Sequence, residues 1–171
     1  MSKHSVFMKE IVCKYHPEFT SSPDLQRYGL KHPEIFNIER LIEESLAAVG
    51  GYDFVDDEGR DFNCPDNSDS KTVSIVNNGG YSNTKVIIIK NVDTKIGSLR
   101  VTIYNPYKED VDFLYIPKRY VRTLMENDGT SGRASGIKQR IRGTWSDYHD
   151  DYNKLERFRI MSFEALAKAS D

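Results

Sequence analysis

Between residues 38 and 49 the apolar side chains recur at the spacing of a helix. The apolar positions are Ile38, Leu41, Ile42, Leu46 and Val49. They fall on one side of a helix, so the sequence predicts an amphipathic helix that packs by one face. Asn37 suits the N-cap of this helix, and Gly50-Gly51 suits its end.

Most of the chain that follows is rich in β-branched and aromatic residues, which favour strands. The predicted strands are Tyr52–Val55, Ser68–Val76, Lys85–Val92, Ser98–Tyr104, Asp112–Ile116 and Ile137–Trp145. A second helix is predicted from Pro117 to about Met125, and residues 151 to 169 should hold a strand and a terminal helix. Short helices and loops are expected before Pro33. Because the strands lie too close together for repeated β-α-β units, the pattern predicts an α+β domain around one mixed sheet.

Composition is that of a folded protein of one domain. The chain has 171 residues, of which 38% are hydrophobic and 29% are charged, as in typical globular domains. Cys13 and Cys64 form no CxxC pair, which favours a reducing compartment. Residues 1 to 10 show no secretory signal, and the longest aliphatic run, Val86–Ile89, is far too short to span a membrane. We therefore expect a cytoplasmic protein that does not associate with membranes.

Charge is unevenly distributed along the chain, although the net charge is only −2. Residues 1 to 70 hold 7 Lys/Arg against 14 Asp/Glu, whereas residues 118 to 142 hold 7 against 2. Clustered carboxylates that cations neutralise, together with a separate basic surface for phosphates, are what a metal-dependent nuclease needs. Chance clustering of solvated surface charges is the alternative.

The candidate chemistry lies between Gly51 and Ile75. On a strand, Asp69 and Lys71 share one face, and Asp53 lies on the preceding predicted strand. A hairpin between the two strands would bring Asp53 beside Asp69. Two carboxylates can hold Mg²⁺, and a nearby lysine can orient the attacking water in phosphodiester hydrolysis. Alternatively, residues 56–61 and 65–70 are two solvated acidic turns, with Lys71 pairing one of them.

This segment resembles the PD-(D/E)xK nuclease superfamily. The matching residues are Asp53 and, after fifteen residues, Asp69-Ser70-Lys71. Within that superfamily, the segment Gly51–Asp56 is similar to the PvuII-like branch of type II restriction endonucleases, and the likeness covers about residues 50–126. The resemblance implies a restriction-endonuclease-like core and a Mg²⁺-dependent enzyme, without a nucleotide cofactor, that cuts double-stranded DNA at a specific, palindromic sequence. A chain this small would cut both strands as a homodimer.

The chain departs from the pattern of that branch in three places. Position 69 is Asp where the branch usually has Glu, and Tyr52 stands where the superfamily often has Pro. Asp57 is a rival for the role of Asp53, because residues 63–68 look like an insertion. On the preceding helix, Glu39 is the candidate auxiliary metal ligand, with Glu43 next.

Candidate DNA contacts follow the predicted catalytic strand and fill the basic stretch. They are Asn78, Asn83, Lys118, Arg119, Arg133, Lys138, Arg140 and Arg142. We accordingly divide the single domain into an N-terminal region 1–36, a catalytic core 37–126, and a region 127–171 that contacts DNA. A nicking or repair nuclease of the same fold and a noncatalytic DNA-binding module are the alternative functions.

Overall fold

A computed structural model describes residues 3–15, 38–57, 60–63, 68–77, 85–93, 97–127, 138–145 and 155–170. The helices are α1 (Lys3–Phe7), α2 (Cys13–Tyr15), α3 (Ile38–Gly50), α4 (Lys118–Asn127) and α5 (Phe163–Lys168). A π-helical turn (Met8–Val12) joins α1 to α2, and a 3₁₀ turn (Leu155–Phe158) precedes the last strand. The strands are β1 (Asp53–Asp57), β2 (Arg60–Asn63), β3 (Asp69–Ser74), β4 (Val76–Asn77), β5 (Lys85–Asp93), β6 (Leu99–Asn105), β7 (Asp110–Ile116), β8 (Lys138–Thr144) and β9 (Arg159–Ile160).

The strands form three sheets. A four-stranded sheet has the order β3-β6-β7-β9, in which β3 and β6 are parallel and the other pairs are antiparallel. A three-stranded antiparallel sheet has the order β4-β5-β8, and β1 and β2 form a hairpin of their own. Helices together with a mixed sheet confirm the predicted α+β class, although the strands are divided among three sheets.

The core lies on both faces of the four-stranded sheet, because successive side chains of a strand alternate between faces. Along β7, Leu114 and Ile116 face one buried cluster with β5, β8 and α4, whereas Val111 and Tyr115 face another with α1, α3 and α5. The site strand β3 continues this sheet at its edge. Its two faces are therefore presented to different layers of the protein.

The predicted helix from Ile38 is confirmed, since α3 buries Ile42 and Leu46 and ends at Gly50. Gly51 follows with φ of 75°, a left-handed conformation that glycine adopts without the steric cost of a Cβ. The predicted strands also match the observed ones to within a few residues, with two exceptions. Strand β2 is absent from the prediction, and the strand predicted from Ser68 to Val76 is divided into β3 and β4, which lie in different sheets. Trp145, which directly follows β8, is buried.

The C-terminal segment is anchored to the sheet by buried polar contacts. Arg100, only 1% exposed, donates from β6 to the carbonyl oxygens of Leu166 and Ala169 at the end of α5. On β7, Asp112 accepts hydrogen bonds from Trp145 and from Arg159 of β9. Within the described ranges, no helix is long and apolar enough to cross a membrane.

Candidate active site

Asp69 and Lys71 form an ion pair on strand β3. Lys71 Nζ lies 3.3 Å from Asp69 Oδ2, and the side chains of Lys71 and Asp69 are 24% and 11% exposed. They occupy alternate positions of the strand, so both point to the same face of the sheet, as the sequence predicted. The register with β6 places Asp69 opposite Leu99 and Lys71 opposite Val101. The side chains of Leu99 and Val101 belong to the buried core. The pair is therefore carried on a strand that core packing holds in place.

Strand β3 borders a cavity of about 580 Å³. Within the described sheets β3 is an edge strand that pairs only with β6. Residues 69–74 of β3 line the cavity, together with Glu39 and Glu43 of α3 and with Ile88, Lys90 and Asn91 of β5. Acidic groups thus come from two elements, β3 and α3, whereas a further cation comes from β5.

Lys71 has a second acceptor on β5. Its Nζ donates to the backbone carbonyl oxygen of Asn91 at 3.2 Å. An ammonium group carries three N–H donors, so the carboxylate of Asp69 and this carbonyl account for two of them. Their positions restrict where the lysine can place its charge in the cavity.

The acidic residues of α3 differ in where they point. Glu39 and Glu43 lie four residues apart, which puts them on the same side of the helix, and both line the cavity. Glu44 instead pairs with Arg40 at 3.2 Å on an exposed part of the helix. Helical spacing in the sequence ranks Glu39 ahead of Glu43, whereas Glu43 is the more buried of the two in the structure. Both glutamates are therefore candidates for the auxiliary role.

The hairpin predicted to bring Asp53 beside Asp69 is wrong. Strand β1 pairs with β2, and Asp53 lies opposite Asn63. Strand β2 was not predicted, because most of its residues, Arg60–Asn63, have low strand propensity. Asp53 is exposed and is not among the cavity-lining residues. The backbone of its rival Asp57 lies on the same strand, and its side chain lies outside the described part of the chain.

The cavity carboxylates are chemically suited to a hard cation. Glu39, Glu43 and Asp69 offer oxygen ligands, which Mg²⁺ prefers, and Mg²⁺ is often held by only one or two carboxylates with several waters. Among the described residues there is no group of three or more His, Cys, Asp or Glu side chains close enough to hold a metal ion together. The cavity lining therefore supplies carboxylate oxygens of the kind that Mg²⁺ prefers, from β3 and from α3.

Two of the predicted DNA-contacting residues lie beside the cavity. Arg142 on β8 is directly opposite Ile88 of β5, and Ile88 lines the cavity. Residues opposite each other in an antiparallel pair share a face, so Arg142 lies on the cavity side of this sheet. Arg140 has the same parity and shares that face. Lys90 was not predicted as a site residue. It lies two residues after Ile88 in β5, and this spacing indicates that both side chains lie on the cavity face.

The other predicted DNA contacts are dispersed. Lys118 and Arg119 begin α4, where the Arg119 guanidinium lies 5.0 Å from the centre of the Tyr120 ring. Lys138 is the first residue of β8. The remaining candidates, Asn78, Asn83 and Arg133, lie outside the described residues. Within the described part of the chain, the basic residues placed beside the cavity are therefore those of β5 and β8.

Comparison of the chain with protein-family models, with curated proteins and with solved structures gave no match.

Proposed function

We propose that this protein is a Mg²⁺-dependent endonuclease that hydrolyses phosphodiester bonds of double-stranded DNA. The observation that carries the proposal is the Asp69–Lys71 pair, joined at 3.3 Å on β3 and lining a cavity with two further carboxylates. These two residues are also the Asp and Lys of the D-x-K pattern of the sequence. We also propose that the α+β fold is a restriction-endonuclease-like core.

Asp69 with Glu43 or Glu39 would hold the metal ion. Mg²⁺ bound there would neutralise charge on the phosphate and lower the pKa of a bound water. The proposed role of Asp53 as a further ligand rests on the sequence resemblance, because the described cavity does not include it. Glu39 and Glu43 are preferred to Asp53 as metal ligands, because they line the cavity.

Lys71 would orient the attacking water and balance negative charge on the reacting phosphate. Its ammonium group is held by the Asp69 carboxylate and the Asn91 carbonyl oxygen. A charged amine cannot accept a proton, so Lys71 acts as a positioning and electrostatic group rather than a general base.

The DNA backbone would run across the face of β5 and β8. Lys90, Arg140 and Arg142 share this face next to the cavity, and cationic side chains there would bind phosphates on either side of the reacting one. One copy of the Asp69–Lys71 pair cuts one strand. Cleavage of both strands of a palindromic site therefore calls for a homodimer, in the manner of type II restriction endonucleases.

The function is tested by incubating the protein with supercoiled plasmids of different sequence, in Mg²⁺ or in EDTA. The proposal expects linear DNA in discrete bands in Mg²⁺ and unchanged plasmid in EDTA. Nicked circles without linear product would indicate a nicking or repair nuclease. Gel-shift binding without cleavage of any plasmid would contradict the proposal and indicate a noncatalytic DNA-binding module.

A further inference from the structure

Strand β5 contains a bulge beside the candidate site. Ile89 lies opposite Ile141 of β8, and Val92 lies opposite Gln139. Two residues of β5, Lys90 and Asn91, therefore stand against one residue of β8. Such an insertion bends the strand and changes the direction of its peptide groups, and bulges are frequent next to active sites.

Asn91 has an unusual backbone conformation within this bulge. Its φ is 57°, in the left-handed region that side chains other than glycine rarely adopt. Asparagine tolerates this region better than most residues, whereas a β-branched residue there is strained. In a regular antiparallel ladder the carbonyl groups point along the sheet to a neighbouring strand. Here the Asn91 carbonyl oxygen instead meets Lys71 of β3, which belongs to a different sheet.

We infer that the Lys90–Asn91 bulge is a positioning device for Lys71. The left-handed turn at Asn91 aims its carbonyl oxygen at the amine, so that Lys71 is fixed between β5 and the Asp69 carboxylate. Only the backbone of Asn91 is used, so the requirement is for a residue that adopts positive φ. The inference rests on the proposed function, since it states how the lysine of that site is held in place.

Three substitutions at position 91 separate the backbone requirement from the side chain. Asn91→Gly keeps the positive φ and the carbonyl. Asn91→Val strongly disfavours that conformation, and Asn91→Ala does so more mildly, which keeps a usable variant if the valine protein does not fold. Glu109→Val is the matched control, because Glu109 also has positive φ, 49°, but lies in the turn between β6 and β7.

Two measurements are made on each variant. One is the rate of Mg²⁺-dependent plasmid cleavage. The other is the rate at which a water-soluble acylating reagent modifies Lys71, by mass spectrometry, relative to the exposed Lys168 of α5. We expect Asn91→Val to cut about 10- to 100-fold more slowly, since small displacements of a catalytic group have effects of this size. Acylation of Lys71 should rise in the same variant, because its amine is no longer held. Asn91→Gly and Glu109→Val should match the wild type in both measurements.

Equal cleavage and equal Lys71 acylation in wild type, Asn91→Val and Asn91→Ala would overturn the inference. A loss in Asn91→Gly as large as that in Asn91→Val would also overturn it, because the side chain would then be the essential part. Absence of cleavage by the wild-type protein would instead contradict the proposed function, and the acylation rates would still decide whether the bulge holds Lys71.

Discussion

Arg100 donates a hydrogen bond of 3.1 Å from its Nε to the backbone carbonyl oxygen of Leu166. It lies beside Ser70 in the register of β6 with β3, directly between the positions of Asp69 and Lys71. The rings of Tyr52 and Tyr115 lie 5.8 and 5.1 Å from its guanidinium carbon. One buried cation thus fixes the last helix to β6, the strand that pairs with the candidate catalytic strand β3.

Replacing Arg100 should destabilise the protein. In Arg100→Met the carbonyl oxygens of Leu166 and Ala169 lose a buried charged donor. We expect the free energy of unfolding to fall by about 2–4 kcal/mol. Urea denaturation followed by the fluorescence of Trp145, the single tryptophan, measures this change. Arg40→Met is the control, because Arg40 forms an exposed pair with Glu44 that contributes about 0.5 kcal/mol or less. Equal stability of the two variants would contradict the role given to Arg100.

A second buried polar group on β7 contacts β6, β9 and Trp145, the residue that directly follows β8. Asp112, 7% exposed, accepts hydrogen bonds from Asn105 at 3.1 Å, from Trp145 at 3.2 Å and from Arg159 at 2.7 Å. Asp112→Ala leaves these donors without their acceptor, so we expect a loss of about 3–5 kcal/mol in unfolding free energy. The exposed Asp110, two residues earlier on the same strand, provides the control Asp110→Ala. A loss no larger than that of the control in thermal or urea unfolding would refute the prediction.

The Tyr15 hydroxyl donates a hydrogen bond to the carboxylate of Glu164. This hydrogen bond is the main cause that lowers the pKa of Glu164, and burial is the main cause that raises the pKa of Tyr15. Because the Glu164 pKa is lowered in the folded state, its contribution is present above the unfolded pKa. That contribution disappears as the pH falls through the lowered folded value.

Tyr15→Phe should therefore be less stable than wild type at neutral pH, by less than about 1 kcal/mol because Glu164 is exposed to solvent. The difference should shrink as the pH falls below about 4, where glutamates become protonated. Melting temperatures from pH 3 to pH 7 measure it. A stability difference that stays constant from pH 3 to pH 7 would show that the hydrogen bond to the Glu164 carboxylate does not cause the difference.

The face of β5 and β8 should bind DNA phosphates. Lys90→Ala, Arg140→Ala and Arg142→Ala should each weaken DNA binding in EDTA. Each phosphate that a variant no longer neutralises should make the slope of log affinity against log salt less steep by about 0.9. Lys168→Ala is the matched control, because Lys168 is an exposed cation of α5, on the opposite side of the four-stranded sheet. The affinities are measured by fluorescence anisotropy. If all three variants keep the wild-type slope of log affinity against log salt, DNA does not bind to the face of β5 and β8.

The sequence pattern predicted local structure better than pairing. The spacing of apolar residues located α3, and strand alternation placed Asp69 and Lys71 on one face, since both follow from local geometry. The partner of the Asp53 strand could not be read in this way, because strand pairing is a non-local contact. The left-handed conformation of Asn91 carries only a weak residue preference.

Buried polar groups were the other part that the pattern could not predict. Arg100 stands in an apolar strand and would ordinarily be expected at the surface. Its burial depends on Leu166 and Ala169, which are more than sixty residues away along the chain. Arginine type alone does not indicate such partners, so only the folded structure identifies Arg100 as a core residue.

Asp69 and Lys71 are the proposed catalytic pair, and their role is tested by plasmid cleavage in Mg²⁺. Asp69→Asn and Lys71→Met nearly preserve side-chain volume while removing the charge, and Glu44→Gln does the same in the exposed Arg40–Glu44 pair, away from the cavity. Wild type and Glu44→Gln should cleave at similar rates, whereas Asp69→Asn and Lys71→Met should cleave at least about 100-fold more slowly with folding unchanged. Cleavage at the wild-type rate by either Asp69→Asn or Lys71→Met would contradict the catalytic role proposed for that pair.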